Sequence, residues 1–241
     1  LLSQDGFVVW SSHKACQVHN VDLVIYSAAI GKENPELKEA IACGINVVSR
    51  AEFLAEISRW HDSITVAGTH GKTTSCAMLS EIFSQAGLDP SLLIGGASLG
   101  RVRAKSGVGN WLIVEADEYA KSFLNLHSDW SLITCVEAEH LECYGSIREL
   151  ENAFVEFANR RPFYGEVLIG GDGLVSSEVL DKINPNTYTF GTKSGCDYRI
   201  VNMDLTSWGS SFQINHLSGL LGHLTLNVPG EHNVRNAAGA A

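Results

Sequence analysis

Residues 63–74 place a short apolar run directly before a glycine turn and a second, helix-compatible run. The β-branched residues of the first run are typical of a buried parallel strand. The run breaks at Gly68, turns through residues 69–71 and continues as a predicted helix over residues 72–86. A glycine loop between a strand and a helix N-terminus directs backbone N–H groups and the positive end of the helix dipole at one point. The segment therefore predicts a phosphate-binding loop.

Lys72 and Thr73 carry the side chains that such a loop requires. A lysine at this position supplies a mobile charge for the β- and γ-phosphates, and the hydroxyl beside it is placed to bind Mg²⁺. The full pattern, G-x-x-x-x-G-K-[ST], would begin at position 66, where this chain has Val66. The match covers the second half of the pattern, and an ordinary strand-turn-helix connection is the alternative.

Two acidic clusters follow predicted strands further along the chain. The apolar run at 111–114 ends in the cluster 115–118, and the run at 131–136 ends in the cluster 137–140. In open α/β sheets, ligands bind at the carboxyl ends of the strands, so both clusters are expected at the same edge as the loop.

Within these clusters, Glu115 is the best candidate for a Mg²⁺ ligand beside Thr73, because Mg²⁺ prefers hard oxygen donors. Asp117 and Glu118 either orient a substrate or are solvated. For His140 the pattern alone favours a hydrogen-bonded structural role over a metal ligand.

The wider pattern predicts an α/β fold in two parts. Residues 22–60 alternate strand, helix, strand and helix, which is typical of an open parallel sheet, and a polar break follows at 61–63. Short alternating strands with glycine turns over 188–228 predict a small antiparallel sheet. We expect residues 1–60 to be the C-terminal part of a Rossmann-like domain. We expect residues 61–241 to be a P-loop-type domain with a mostly parallel sheet, flanking helices and the added antiparallel sheet.

Two predicted helices carry apolar faces that indicate packing and not chemistry. The face of the helix at 50–60 includes Trp60. Ser146 opens the second helix with a capping box, and Phe154 and Phe157 recur along it at helical spacing, which favours a place in the core.

The charge balance argues against several partners. A net charge of −10 makes a nucleic-acid backbone or an anionic membrane an unfavourable main partner. Any phosphate ligand must therefore be held by a local site and a metal ion. The six cysteines include no C-x-x-C pair, and no signal peptide or bilayer-spanning apolar run is evident. This usage favours reduced thiols in a cytoplasmic protein.

Four segments stand in a characteristic order and spacing: 68–74, 115–118, 137–140, and Gly-Glu-His-Asn-Val-Arg-Asn at 230–236. Together they resemble the Mur ligases, ATP-dependent enzymes that build the peptide of peptidoglycan. His70 resembles both the members that add L-alanine to UDP-N-acetylmuramate and the related recycling ligases. Residues 49–56 and 122–124 are more similar to the members that add L-alanine. The alternative within the family is a recycling ligase that joins a ready-made peptide to UDP-N-acetylmuramate.

The resemblance implies a reaction in two steps. ATP and the lactyl carboxylate of UDP-N-acetylmuramate would give an acyl phosphate, which the amine of L-alanine would attack. ATP and Mg²⁺ are the implied cofactors, and UDP-N-acetylmuramate and L-alanine are the implied partners. The implied catalytic residues are Lys72, Glu115 and His140, and the implied metal ligands are Thr73, Glu115 and His140. For His140 the resemblance reverses the interpretation from the pattern alone.

The remaining implied site residues fall into three groups. ATP would be bound by Gly68, Thr69, His70, Gly71, Lys72, Thr73 and Thr74, with His232, Asn233 and Asn236 at the adenine. Ser27, Ala28, Ala29 and Ile30 would form part of the uridine-diphosphate pocket. Ser122 would contribute to substrate binding.

Some positions depart from the family pattern. Cys135 stands where the family usually has Asn, and Ala120 stands where Asp is common, so substrate positioning could be weaker. Residues 141–161 contain no lysine for the carbamylated metal ligand that several relatives use. The chain is expected to hold the tail of the family's N-terminal domain and the central ATPase without the C-terminal domain. We therefore expect that these 241 residues do not form the amide bond alone.

Two other classes share part of this pattern. A P-loop GTPase should carry an Asn-Lys-x-Asp motif, and this sequence has none. A non-catalytic Mur-like scaffold is the second alternative, supported by Cys135 and Ala120, and it would not bind ATP.

Overall fold

The computed structural model describes residues 3, 6–27, 29–95, 104–139, 141–173 and 177–241, and leaves the side chains of residues 120, 141 and 177 outside the description. The chain divides into two compact units, Leu1–Leu54 and Ala55–Ala241. Among the described residues, no helix is both long and apolar enough to cross a membrane.

The first unit contains a short parallel sheet and the helix that connects its strands. Its elements are a 3₁₀ helix at Ala15–Val18, β1 at Leu23–Tyr26, α1 at Pro35–Ala42 and β2 at Asn46–Ser49. β1 and β2 pair in parallel. Asn34 caps α1, because its Oδ1 accepts a hydrogen bond from the Glu36 N–H at 2.8 Å, and Pro35 pre-forms the first turn.

The helix α2 at Arg50–Ser58 crosses from the first unit into the second. It ends two residues before Trp60, whose side chain is 70% exposed. The prediction that Trp60 lies on a buried apolar face is therefore wrong. Residues 59 and 60 lie in the turn that follows the helix, so the helical period no longer sets the direction of the indole.

The second unit mixes strands and helices before it ends in four successive strands and a helix. Its strands are β3 at Asp62–Ala67, β4 at Ser91–Leu93, β5 at Ala104–Lys105, β6 at Trp111–Glu115, β7 at Trp130–Ile133, β8 at Glu166–Gly170, β9 at Thr187–Gly191, β10 at Tyr198–Leu205, β11 at Ser210–His216 and β12 at Gly219–Leu226. Its helices are α3 at Lys72–Gln85, α4 at Leu141–Tyr144, α5 at Ile147–Asn159, α6 at Ser177–Leu180 and α7 at Glu231–Ala240, with a 3₁₀ helix at Tyr119–Asn125.

Within the described part of this unit, ten strands form one sheet in the order β12-β11-β10-β9-β8-β7-β3-β6-β4-β5. Neighbouring strands from β10 to β4 run parallel. β11, β12 and β5 are antiparallel additions at the two edges. The prediction of an α/β fold with a mostly parallel sheet and an antiparallel extension is confirmed.

β3 lies between β7 and β6 in the sheet and is buried in the core. Its residues Val66 and Ala67 are fully buried, as are Ile113 and Val114 in the neighbouring β6. The expected core aromatics of α5, Phe154 and Phe157, are each 2% exposed. The order β7-β3-β6 places the carboxyl ends of three parallel strands side by side, and the segments after those ends form the site described next.

Candidate functional site

The loop at residues 68–71 joins the end of β3 to the start of α3. Gly68 and Gly71 have φ values of +126° and +83°, a backbone region that favours glycine. A Cβ at Gly68 would lie 2.2 Å from the Thr134 hydroxyl oxygen and 2.9 Å from the Cys135 carbonyl oxygen. The loop therefore passes so close to the end of β7 that only glycine fits there.

Hydrogen bonds from the segment after β7 fix the shape of this loop. The Thr69 N–H donates to the Cys135 carbonyl at 2.9 Å, and the Glu137 N–H donates to the Thr69 hydroxyl at 2.8 Å. The Thr134 hydroxyl donates to the His70 carbonyl at 2.5 Å. Val66, at the position where the full pattern has glycine, lies inside β3 and is fully buried. The turn therefore needs no glycine there.

Lys72 begins α3 and folds back over the loop. Its ammonium donates to the Gly68 carbonyl at 2.6 Å and to both carboxylate oxygens of Glu118 at 2.8 and 2.9 Å. The Lys72 side chain is 14% exposed and that of Glu118 is 2% exposed, so this is a buried ion pair. The Tyr144 hydroxyl donates to the Glu118 backbone carbonyl at 2.5 Å, which fixes the backbone of this residue.

Thr73 and Glu115 form a second contact at the same strand ends. The Thr73 hydroxyl donates to a Glu115 carboxylate oxygen at 2.8 Å. Burial raises the pKa of the Glu115 carboxyl, while the Thr73 hydrogen bond and the Lys72 charge act in the opposite direction. The two side chains bring a hydroxyl and a carboxylate together beside the loop. Hard oxygen donors in this arrangement fit Mg²⁺, which takes one or two carboxylates and keeps several waters.

His70 connects the loop to the second acidic cluster. Its Nε2 lies 3.3 Å from a Glu139 carboxylate oxygen and 3.5 Å from one of Glu137. All three side chains are between 42% and 57% exposed, so these contacts lie at the surface of the site. His140, the third member of the predicted catalytic set, lies outside the described residues.

Helix α7 brings the segment 230–236 against the loop from the other side. A Cβ at Gly71 would lie 2.2 Å from the Oδ1 of Asn236, and Asn236 is 9% exposed. His232 is exposed at the start of the helix, and the Asn233 amide donates to the Pro229 carbonyl at 2.7 Å. Of these three residues, Asn236 is the one that the structure places against the loop.

Asp172 holds α7 in this place. Its carboxylate, just after β8, accepts hydrogen bonds from the Arg235 guanidinium and the Thr192 N–H, both at 2.9 Å. Burial raises the pKa of Asp172, but the hydrogen bonds from Thr192, Arg235 and Lys193 outweigh it, so the net pKa is lowered. The anchor fixes the rotation of α7 and hence the place of Asn236.

Family comparisons bear directly on this arrangement. The Mur ligase middle domain matches residues 66–241, and the Mur ligase family catalytic domain matches residues 2–61. The chain belongs to the Mur ligase family. Its loop, its acidic strand ends and its helix α7 all lie in the part that matches the middle domain.

Three Mur ligases illustrate the similarity. The UDP-N-acetylmuramate–L-alanine ligase of Geobacter sp. (strain M21) is 40% identical over 237 residues, which are 98% of this chain and 51% of that protein. The crystal structure of the UDP-N-acetylmuramate-alanine ligase from Thermotoga maritima has a TM-score of 0.81 at 24% identity, covering 99% of this chain and 54% of that one. The UDP-N-acetylmuramate:L-alanyl-gamma-D-glutamyl-meso-diaminopimelate ligase from Neisseria meningitides has a TM-score of 0.84 at 22% identity, covering 99% and 79%.

These similarities differ in what they show. The two structural matches share the fold, and fold alone does not separate the two substrates after which these ligases are named. The curated relatives of higher identity are L-alanine ligases. The chain spans about half the length of the curated relatives that it matches.

The residues expected at the UDP-substrate pocket lie in the first unit of this Mur ligase chain. Ser27 follows β1, its hydroxyl accepts a hydrogen bond from the Ala29 N–H at 3.3 Å, and its carbonyl accepts one from the Ile30 N–H at 2.9 Å. These bonds form a tight turn at a strand end. Ala28 lies outside the described residues. Ser122 lies in the second unit, where its hydroxyl donates to the Asp117 carbonyl at 2.8 Å.

The departures from the Mur ligase pattern affect the site unequally. Cys135 contributes its backbone carbonyl to the loop, and its thiol reaches the His70 carbonyl only at 3.8 Å. Burial raises the pKa of this thiol, which favours the neutral form. The side chain of Ala120 lies outside the description.

Two residues of the site were missed or left open at the sequence level. Glu118 had two alternatives, and the structure shows it buried against Lys72 and not solvated. Asp172 received no role, although an acidic residue just after an apolar strand, at 166–170, is the signal that identified Glu115. Applied to every strand end, that signal would have found Asp172.

Proposed function

We propose that this chain forms the nucleotide-binding part of an ATP-dependent ligase of peptidoglycan synthesis. In this proposal the enzyme joins L-alanine to UDP-N-acetylmuramate through an acyl phosphate, in the cytoplasm. The observation that carries the proposal is the convergence of Lys72, Thr73 and Glu115 at one loop, in a chain 40% identical to an L-alanine ligase. The proposal depends on no other contact between the loop and the strand ends.

The chain's own groups would act on the phosphates by position and charge. The loop N–H groups and the N-terminus of α3 would bind phosphate oxygens, as helix N-termini do. Lys72 would exchange the Gly68 carbonyl and the Glu118 carboxylate for the triphosphate, which its flexible stem permits. Catalysis of phosphoryl transfer rests mainly on such positioning and charge stabilisation.

Thr73 and Glu115 would hold Mg²⁺ through the oxygens that now contact each other. When bound, the ion would neutralise charge on the phosphates. His140 is proposed as a further metal ligand on the family resemblance. Glu137 and Glu139, the described acidic members of the same cluster, lie beside the loop through His70.

Binding of the adenine is proposed for His232, Asn233 and Asn236. The support is the position of Asn236 against Gly71, since an amide that both donates and accepts suits the edge of a purine. For the UDP-substrate we propose Ser27, Ala28, Ala29 and Ile30, and we propose Ser122 as a further substrate contact.

Calorimetric titration of the 241-residue chain with ATP, with and without Mg²⁺, tests the nucleotide part. We expect binding that Mg²⁺ strengthens, and we expect Thr73→Val to remove most of that strengthening while Thr73→Ser keeps it. A chain that does not bind ATP would support the scaffold alternative, and equal binding with and without Mg²⁺ would contradict the proposed metal site.

A ligation assay tests the chemical part. Because the chain spans about half of its relatives, we propose that it forms no product alone from ATP, UDP-N-acetylmuramate and L-alanine. A chimera that carries this chain in place of the matching half of a full-length L-alanine ligase should form product from ATP, UDP-N-acetylmuramate and L-alanine. A folded chimera that binds ATP but forms no product would contradict the chemical part of the proposal.

A further inference from the structure

Three potential metal ligands meet in the first unit, far in sequence from the loop at 68–71. They are His19, at the end of the 3₁₀ helix Ala15–Val18, Glu39 in α1, and Cys43, which caps the C-terminus of α1. One ligand atom from each lies within 4.8 Å of the other two. Among the residues that the structure describes, this is the one such group of three.

Hydrogen bonds already draw these side chains together. Glu39 Oε1 lies 2.9 Å from His19 Nε2 and accepts a hydrogen bond from the Cys43 thiol at 3.5 Å. Glu39 and Cys43 are four residues apart, so they lie on the same side of the helix, and the Cys43 N–H donates to the Glu39 carbonyl at 2.8 Å. The helix thus fixes two of the three ligands relative to each other.

We infer that His19, Glu39 and Cys43 bind a borderline divalent transition ion such as Zn²⁺. The donor set of imidazole nitrogen, carboxylate oxygen and thiolate sulfur suits Zn²⁺ and does not suit Mg²⁺ or Ca²⁺, which take oxygen ligands. His19 and Cys43 are exposed, so a water can complete a four-coordinate ion.

Two of the three ligand distances are close to those that a tetrahedral ion requires, and the third, from the Cys43 sulfur to a His19 ring nitrogen, lies within 4.8 Å. With usual zinc–ligand bond lengths, the nitrogen–oxygen, sulfur–oxygen and sulfur–nitrogen separations would be about 3.3, 3.5 and 3.6 Å. The sulfur–oxygen distance already matches, and the nitrogen–oxygen distance of 2.9 Å must open by only a few tenths of an ångström. Binding would exchange the thiol proton, which passes to solvent, for a sulfur–zinc bond.

The ion would fasten the 3₁₀ helix to α1. Val18 and Leu37 are buried, at 6% and 7% exposure, so both segments already contribute to the core of the unit. A metal that binds the folded unit and not the unfolded chain stabilises it by mass action.

Titration of the full 241-residue chain with Co²⁺, in the presence of a phosphine reductant, tests this inference. We expect one equivalent to bind with the absorption of a tetrahedral ion and a thiolate-to-metal charge-transfer band. Zn²⁺ should displace it and raise the melting temperature of the unit. Cys43→Ser should remove the band, and His19→Ala should weaken binding at least tenfold.

Two matched variants serve as controls. Cys16→Ser removes an exposed thiol from the 3₁₀ helix that ends beside His19. His13→Ala breaks the neighbouring pair of His13 with Glu36. Both should bind Co²⁺ as the unaltered chain does. Retention of the charge-transfer band in Cys43→Ser, or equal affinity in His19→Ala, would overturn the inference. If His19→Ala does not fold, the exposed Cys43→Ser substitution alone decides.

Discussion

Removal of the Lys72 charge should destabilise the second unit even before any nucleotide is added. Lys72→Met keeps the length of the side chain but takes the ammonium away from a carboxylate that is 2% exposed. Breaking a buried ion pair by removing one partner typically costs about 3–5 kcal/mol, because the remaining buried charge loses that partner. We expect about 3 kcal/mol here, since Lys72 is 14% exposed and water reaches that end of the pair.

The size of this effect can be checked by thermal and urea unfolding. For a unit of this size, about 3 kcal/mol corresponds to a fall in melting temperature of roughly 6–12 °C. Because the chain has two units, hydrogen exchange of peptides from β3 and α3 should report the second unit separately. The double variant Lys72→Met/Glu118→Gln should recover about 2 kcal/mol of the loss, because the charge and its partner are removed together.

Lys105→Met is the matched control for the same substitution. Lys105 pairs with Asp89 at 2.8 Å, but the two side chains are 37% and 43% exposed, so Lys105→Met should destabilise the chain much less than Lys72→Met. The reasoning would be refuted if Lys72→Met and Lys105→Met lowered the free energy of unfolding equally. It would also be refuted if the losses caused by Lys72→Met and Glu118→Gln simply added in the double variant. The outcome also matters for nucleotide titrations, since lost binding in a lysine variant can reflect a destabilised site.

Three further predictions concern the same site. Gly71→Ala should lower the free energy of unfolding, measured in urea, by at least about 1–2 kcal/mol, because alanine is strained in the left-handed backbone of this position. The new Cβ would also lie 2.2 Å from Asn236 Oδ1, and a second substitution, Asn236→Ala, should relieve only the part of the loss that comes from this contact. Thr73→Val should raise the pKa of Glu115, seen as an upward shift in its carboxyl titration by NMR, because the hydroxyl now lowers it. Asp172 has a lowered pKa, so its stabilising contribution is full above its ordinary value of 3.8 and is lost as pH falls through the folded value. Between about pH 5 and about pH 3, the melting temperature should therefore fall less in the Asp172→Asn variant than in the unaltered chain.

The sequence predicted those features of the fold that depend on neighbouring residues. The strand β3, the glycine turn and α3 follow from an apolar run, two glycines and a helix-compatible run that are adjacent in the chain. The capping role of Ser146 is equally local, and its hydroxyl accepts the Glu149 N–H at 3.2 Å. Trp60 was predicted wrongly because a helical period says nothing once the helix has ended.

The side-chain contacts of the site could not be predicted in the same way. The pair of Lys72 with Glu118 joins residues 46 positions apart. It depends on the pairing of β3 with β6, in which Val66 lies opposite Glu115. The contact of Asn236 with Gly71 depends on the Asp172 anchor that sets the rotation of α7. Motifs identify such residues as members of a site, but the sheet register and helix rotation decide which of them touch.

The same distinction explains how the loop tolerates its departures from pattern. Its shape is held by backbone groups of the segment after β7, chiefly the Cys135 carbonyl and the Glu137 N–H, which bond to Thr69. A change of side chain at position 135 leaves both bonds in place, so cysteine instead of asparagine need not distort the phosphate loop. What the cysteine changes is the chemistry of one wall of the site, where a neutral thiol replaces an amide that could both donate and accept. Any loss should therefore fall on substrate positioning, and nucleotide binding should be retained.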